Sequence, residues 1–248
     1  LLESIEGKKG QPRFKPPFPA NVGLYGRPTI INNTESLASV PDILSKGGSW
    51  FAEIGKPNNG GSKLFSISGH VEKPGNYEVP MGTPFSELLE MAGGVKNGRK
   101  LKAVIPGGSS SPILPADVIM NCTLDYDSIA NAGSMLGSGA VIVIDDSTCM
   151  VRLLERISAF YEEESCGQCT PCREGTGWMY RIVSRIENGM GRQEDIDLLL
   201  SITDKIQGTT ICALGDAAAM PVAAMIKHYL DEFQYHIDHK TCMVGSSD

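Results

Sequence analysis

Three cysteines within seven residues constrain this chain more than any other feature. The segment Glu164-Ser-Cys-Gly-Gln-Cys-Thr-Pro-Cys-Arg-Glu-Gly175 holds Cys166, Cys169 and Cys172 at C-x2-C-x2-C spacing. Such a loop bends so that three sulfurs converge on one polynuclear centre. Zinc usually takes cysteines as two separated pairs, whereas three in a row with one remote fourth suit a 4Fe–4S cubane. The expected fourth ligand is Cys212, in Thr209-Thr-Ile-Cys-Ala-Leu-Gly215, at a loop-to-helix junction 40 residues after Cys172. A zinc site and a redox dithiol are the alternatives this spacing leaves open. Cys122, Cys149 and Cys242 lie in no second metal-like pattern, so they read as buried or incidental thiols and not as ligands. Pro171 and Cys172 fall where a helix begins, and the free N–H groups of a helix start favour thiolate. Arg173 adds a cation there, although it reads equally well as a surface residue.

The remaining composition narrows the function classes. Seven cysteines, odd in number and clustered, point to metal in a reducing compartment and not to a disulfide framework. The formal net charge is −7 with no long basic run, which argues against a nucleic-acid groove. Ala217 to Ile226 is the longest nearly apolar stretch, with ten residues including Pro221, and a bilayer span needs about 20. No direct membrane insertion is therefore expected. Only four histidines occur, and no Ser-His-Asp arrangement suggests itself. The chain opens Leu-Leu-Glu-Ser-Ile-Glu-Gly, without Met, a basic region or a cleavage signal, and reads as a piece of something longer.

The 248 residues divide into five stretches. Residues 1–60 carry little periodicity. Pro12-Arg-Phe-Lys-Pro-Pro-Phe-Pro19 must be extended and reads as an arm covering its own protein. In Pro28-Thr-Ile-Ile-Asn-Asn-Thr-Glu-Ser36 the Asn pair reads as the cap of a following helix. Gly55-Lys-Pro-Asn-Asn-Gly-Gly-Ser-Lys63 lacks the phosphate-loop spacing and reads as a flexible linker. Residues 61–120 run hairpin (Leu64–Val71, Tyr77–Val79), helix (from Thr83-Pro84 to Gly93-Gly94) and strand (Lys102–Ile105), the order of a β-grasp module. His70 beside this hairpin reads as structural. Residues 121–145 form a turn-rich connecting segment ending in the strand Ala140–Ile144. Residues 146–240 hold four helical stripes, the last of them irregular near Pro221, and so predict a bundle; 241–248 form a tail.

Three segments together resemble the NADH-binding flavoprotein subunit of respiratory complex I, specifically its C-terminal portion, with relatives in NAD-linked hydrogenases and formate dehydrogenases. They are Glu6-Gly-Lys-Lys-Gly-Gln-Pro-Arg-Phe-Lys-Pro-Pro-Phe-Pro19, Pro28-Thr-Ile-Ile-Asn-Asn-Thr-Glu35, and the cysteine loop with Cys212. The resemblance implies an α+β chain: the C-terminal part of an α/β FMN- and NADH-binding domain, a ubiquitin-like β-grasp domain, and a four-helix bundle carrying the cluster. It shifts Asn32, Asn33 and Thr34 from capping to FMN contacts and assigns the 4Fe–4S cluster to Cys166, Cys169, Cys172 and Cys212.

It also implies an activity: NADH is oxidised at FMN and electrons pass singly to the cluster. The family's Gly-rich flavin and NADH loops lie upstream of Leu1, so this chain alone is incomplete for hydride transfer. Implied partners are that N-terminal flavin-domain half, a 2Fe–2S thioredoxin-like subunit and a large multi-cluster subunit. The implied location is peripheral, on the cytoplasmic face of a bacterial inner membrane or the matrix side of a mitochondrial one. The alternatives are the diaphorase subunit of an NAD-linked hydrogenase or formate dehydrogenase and, from another class, a zinc-stabilised interaction module without redox activity. No further C-x2-C-x2-C-x3-C-P run follows, which favours complex I over the diaphorases.

Overall fold

Alternating apolar residues build a sheet at the centre of the molecule, whose strands at 101–105 and 140–145 are covered on both faces while its first two strands keep one face exposed. The computed structural model describes residues 1–244, so the last four residues of the expected tail lie outside the described residues. The chain begins with a one-turn helix, α1 (Leu2–Ile5), followed by the extended proline arm. Two helices come next, α2 (Thr34–Lys46) and α3 (Gly48–Ile54). Asn33 caps α2, its Oδ1 accepting from the Ser36 N–H at 3.1 Å. Glu35 then ties this helix to the sheet, accepting from the Leu64 N–H at 2.8 Å and from Lys63 Nζ at 2.9 Å.

Strand β1 (Ser62–Gly69) pairs antiparallel with β2 (Gly75–Pro80) across the Pro74-Gly75 turn. Helix α4 (Phe85–Met91) buries Phe85, Leu88 and Leu89, the face its periodicity predicts. Then follow β3 (Leu101–Ile105), the two-residue β4 (Leu114–Pro115), and the short helices α5 (Ala116–Ile119) and α6 (Tyr126–Asn131). Strand β5 (Ala140–Asp145) completes a mixed five-stranded sheet in the order β2-β1-β5-β3-β4. The turn-rich segment before β5 therefore ends at the centre of the sheet, with β5 parallel to β1 and antiparallel to β3. At Gly69 the two strands come so close that a Cβ would stand 2.2 Å from the Val143 carbonyl oxygen, and its φ of +83° also suits glycine.

The run 55–63 is not a free linker. Asn59 is buried, donates to Asp127 Oδ2 at 2.6 Å and accepts from the Tyr126 N–H at 3.1 Å. Donating and accepting at once, this amide pins the glycine-rich turn to the start of α6.

Beyond β5 come the four expected helices: α7 (Met150–Glu164), α8 (Thr170–Glu187), α9 (Asp195–Ile206) and α10 (Leu214–His239). They pack around one apolar core that includes Leu154, Val183, Leu199, Met225 and Phe233. The backbone irregularity of α10 falls at Tyr229 (φ −134°, ψ 33°) and not at the expected Pro221. At that point the Tyr229 hydroxyl donates to the Lys102 carbonyl of β3 at 3.2 Å. Period-2 alternation makes the sheet common to two cores. Ala103, Ile105 and Ile144 face the helices, while Val104, Val141 and Val143 face α4 to α6. No helix among the described residues is long and apolar enough to cross a membrane.

Candidate metal centre

The loop between α7 and α8 folds back because Gly167 takes a left-handed conformation (φ +74°). Cys169 is the N-cap of α8, and Pro171 occupies its first turn, where a missing N–H costs nothing. Cys172 lies one turn into the helix and is buried, with its carbonyl accepting from the Thr176 hydroxyl at 2.8 Å. Cys212 arrives from the other side, two residues before α10 begins. The Thr210 hydroxyl donates to the Cys212 carbonyl at 2.8 Å and so shapes the approach. All four cysteines proposed from spacing line one cavity of about 200 Å³, together with Gly10, Pro12, Gln168 and Leu214. A single water needs only about 10–15 Å³ of such space, so the cavity suits a group of several atoms.

The electrostatics agree with an anionic occupant. The first turns of α8 and α10 both border the cavity, and helix starts present unpaired N–H groups with a positive dipole end. Burial pushes the Cys172 thiol above its ordinary value; its hydrogen bond with Ser165 Oγ at 3.2 Å works the other way, and neighbouring Cys169, Cys212 and Cys166 add to the rise. Four thiolates around one small cavity repel one another unless metal cations lie between them. The Gln168 side-chain oxygen is buried at this cavity without a hydrogen-bond partner. Turning the amide over would aim its N–H groups there, a donor suited to sulfide or thiolate. The donor set, the space and this unpaired amide fit an iron–sulfur cluster.

Arg173 braces the loop from outside, its Nη1 donating to the Gly167 carbonyl at 3.0 Å and its Nε to Glu174 Oε1 at 3.0 Å. The proline arm covers the site, since Gly10 and Pro12 form part of the cavity wall. Arg13 fastens the arm to α1 by pairing with Glu3 and, at 2.9 Å, with Glu6. Neither Ser165 nor Gln168 carries a sequence signal beyond adjacency to the cysteines. Asn32, Asn33 and Thr34 are exposed and do not line the cysteine cavity. The capping role expected of Asn33 is present. Ile31 lines a groove of about 620 Å³ that shares Pro12 and Cys212 with the cysteine cavity.

Sequence reasoning missed one convergence. Cys149 and Cys242, 93 residues apart, come together with His236. No spacing pattern in the chain announces it.

Residues 152–236 match the family model described as NADH-ubiquinone oxidoreductase-F iron-sulfur binding region, and residues 64–114 match the SLBB domain. One segment is thus similar to an SLBB domain and a later one to an iron–sulfur binding region. The chain is 58% identical over 239 residues to the F subunit of NADH-quinone oxidoreductase from Rickettsia bellii (strain OSU 85-389), covering 96% of this chain and 57% of that protein. It is 54% identical over 243 residues to the F 1 subunit of the same enzyme from Rhizobium meliloti (strain 1021), covering 97% and 56%. Among solved structures, an NAD+-reducing [NiFe]-hydrogenase in the H2-reduced state superposes with a TM-score of 0.87 at 32% identity, covering 96% of this chain and 40% of that one. Along nearly its whole length the chain is thus a relative of the NADH-quinone oxidoreductase F subunits, which are oxidoreductase components, and it spans somewhat more than half the length of those relatives.

Proposed function

We propose that Cys166, Cys169, Cys172 and Cys212 hold a 4Fe–4S cluster, and that the chain serves as the cluster-bearing C-terminal part of the electron-entry subunit of an NADH:quinone oxidoreductase. The observation that carries this reading is the one cavity shared by all four cysteines beneath two helix starts. When bound, FMN takes a hydride from NADH and the cluster carries single electrons onward. The chain's own residues supply position and shielding. The α7–α8 loop fixes three sulfurs, the Thr210 contact orients the fourth, and the proline arm keeps water from one side.

At the other end, Asn32, Asn33 and Thr34 are proposed to contact FMN. Asn33 Oδ1 is occupied in capping α2, which leaves its amide N–H groups, together with the Asn32 side chain, for the flavin. Ile31, which directly precedes this segment, lines the same groove as Cys212, and that supports a flavin site on the side of the cluster. Helix α2 buries none of its side chains, and Leu37 and Leu44 are exposed. That apolar face suits contact with the upstream flavin-domain half. The apolar groove beside the cluster loop, lined by Trp178, Leu198 and Ile202 among others, suits an electron-accepting partner such as the 2Fe–2S or multi-cluster component. The proposed setting is a peripheral subunit on the cytoplasmic or matrix face of the membrane.

The test is elemental. The chain purified without oxygen should hold about four irons and four sulfides. Cys212→Ser should lose that cluster, and Cys122→Ser should keep it. Stoichiometric zinc at the four cysteines without acid-labile sulfide would end this reading in favour of the zinc-stabilised module. A second reading is the diaphorase subunit of an NAD-linked hydrogenase, favoured by the superposition on the hydrogenase structure. The higher identity to the NADH-quinone oxidoreductase relatives favours complex I. Co-purification of the full-length protein from its own cells, with either a quinone-reducing or a hydrogenase activity, separates the two.

A further inference from the structure

We propose a second metal site, built from Cys149, His236 and Cys242 and shaped for one zinc ion. The three side chains offer ligand atoms that all lie within 4.8 Å of one another. The Cys149 sulfur stands 3.3 Å from His236 Nε2. Tetrahedral zinc, with bonds of about 2.3 Å to sulfur and 2.0–2.1 Å to nitrogen, holds its ligands roughly 3.5–3.8 Å apart. A small outward relaxation of this pair therefore admits the ion, and Cys242 needs only a modest inward shift.

The surroundings point the same way. His236 is fully buried, yet its Nδ1 has no hydrogen-bond partner. Buried side-chain nitrogens nearly always have a partner, so an unsatisfied one calls for a reason such as an ion held by the other ring nitrogen. Glu187 Oε2 lies 3.8 Å from that Nδ1 and 3.8 Å from the Cys149 sulfur. A carboxylate behind a ligating histidine is the usual means of orienting it. Arg152 holds Glu187 in place, with Nε donating to Oε1 at 2.9 Å, and its backbone N–H donates to the Cys149 sulfur at 3.4 Å. Two thiolates and one imidazole are a donor set for zinc, and a water completes four.

The location assigns a structural role. Cys149 is the N-cap of α7, His236 lies in the last turn of α10, and Cys242 follows that helix. Helix α7 spans about 22 Å at 1.5 Å per residue, with the cysteine loop at its opposite end. The second site is therefore separate from the first. An ion here would fasten the segment after α10 to the junction of sheet and helices.

Zinc, iron and sulfide are to be counted on the same anaerobically purified, cluster-bearing protein after equilibration with zinc and removal of the excess. The proposal expects one zinc per chain beside the irons. Zinc-edge X-ray absorption should give two sulfurs and a nitrogen among the atoms bound to the ion. His236→Ala and the double variant Cys149→Ser/Cys242→Ser should each lose the zinc and keep the iron. If either variant fails to fold, the absorption measurement on the unaltered protein decides. Three results would overturn the proposal: an iron-replete chain with less than a tenth of a zinc, a Cys149–Cys242 disulfide in its place, or zinc retained by both variants. Zinc bound by four sulfurs with iron absent would instead reject the cluster reading and this one together.

Discussion

Asn33 is one residue with two roles, and the roles can be pulled apart. Its Oδ1 caps α2, so Asn33→Ala removes both the cap and any flavin contact, and the cap alone is worth roughly 1 kcal/mol. Asn33→Ser keeps a capping oxygen but discards the amide N–H groups. In the full-length protein, Asn33→Ser and Asn32→Ala should leave thermal stability nearly unchanged and weaken FMN binding about three- to tenfold, the value of one lost hydrogen bond. Flavin and iron per protein are the paired readouts, and unaltered flavin affinity in both variants would return the pair to capping alone. Gly215 tests the other site. A Cβ there would stand 2.5 Å from Thr210 Cγ2 and 2.7 Å from its hydroxyl, the group that shapes the Cys212 turn. Gly215→Ala should cost about 1–3 kcal/mol by overpacking. Because the displaced residue is Thr210, it should also speed loss of iron to a chelator.

Two elements are fastened by ion pairs centred on a glutamate. The proline arm is held by Glu6, which accepts from Arg13, from Lys8 at 2.7 Å and from the Tyr25 N–H at 2.7 Å. These hydrogen bonds, Lys8 first, then Arg13 and Tyr25, hold its carboxyl down to about 2 from an ordinary 4.5. A depressed carboxyl contributes stability that is complete above its unfolded value and fades as the pH falls through its folded one. The arm should therefore resist pepsin at pH 5 and become cleavable near Phe14 as the pH approaches 2. Glu6→Gln should be cleaved readily at both, so that the difference between the two proteins closes at low pH.

Helix α7 is set by a buried pair. Glu232 accepts from the Met150 N–H at 3.0 Å and from Lys102 Nζ at 2.5 Å, joining α10, α7 and β3 at one point. Glu232→Ala leaves Lys102 without its carboxylate, with only the Thr148 carbonyl accepting from it at 2.6 Å, and orphans a helix donor. It should cost about 3 kcal/mol or more, a fall of roughly 6–12 °C in melting temperature for a chain of this size. Glu232→Gln should recover part of that. The helices themselves were legible as apolar stripes, but neither pairing was. Glu6 and Arg13 look like ordinary surface charges in sequence, and Glu232 and Lys102 meet across 130 residues.

At the scale of the whole molecule, the sequence discloses local chemistry and conceals what is assembled at long range. The cysteine loop and Cys212 were legible because three of the four sulfurs sit in one short local spacing, with the start of α8 at Cys169 and Cys172 and the start of α10 just after Cys212. Cys149, His236 and Cys242 were not, because their meeting depends on where α10 ends relative to β5. The run 121–145 reads as a connector because turn residues dominate it, yet its final strand joins the two halves of the sheet.

That strand has a measurable consequence. Val141 and Val143 of β5 pack on the side of α4 to α6, and Ile144 packs on the helices that carry the cysteines. In β3, Val104 and its neighbours Ala103 and Ile105 divide in the same way. Neither core can open without exposing one face of strands that the other core needs, so the SLBB region and the cluster-bearing helices should unfold together. A bound cluster stabilises only the native state. Stripping it should therefore lower the midpoint of one shared transition, not detach a second one. Calorimetry on the loaded and iron-free chain, with the calorimetric enthalpy compared to the van't Hoff value, reads this directly. Hydrogen exchange should slow or quicken in step for Val104 and Val183, which lie in different cores. Two transitions, with only the helical one moving as iron is removed, would mean that the shared strands transmit nothing and that the two regions fold as independent units.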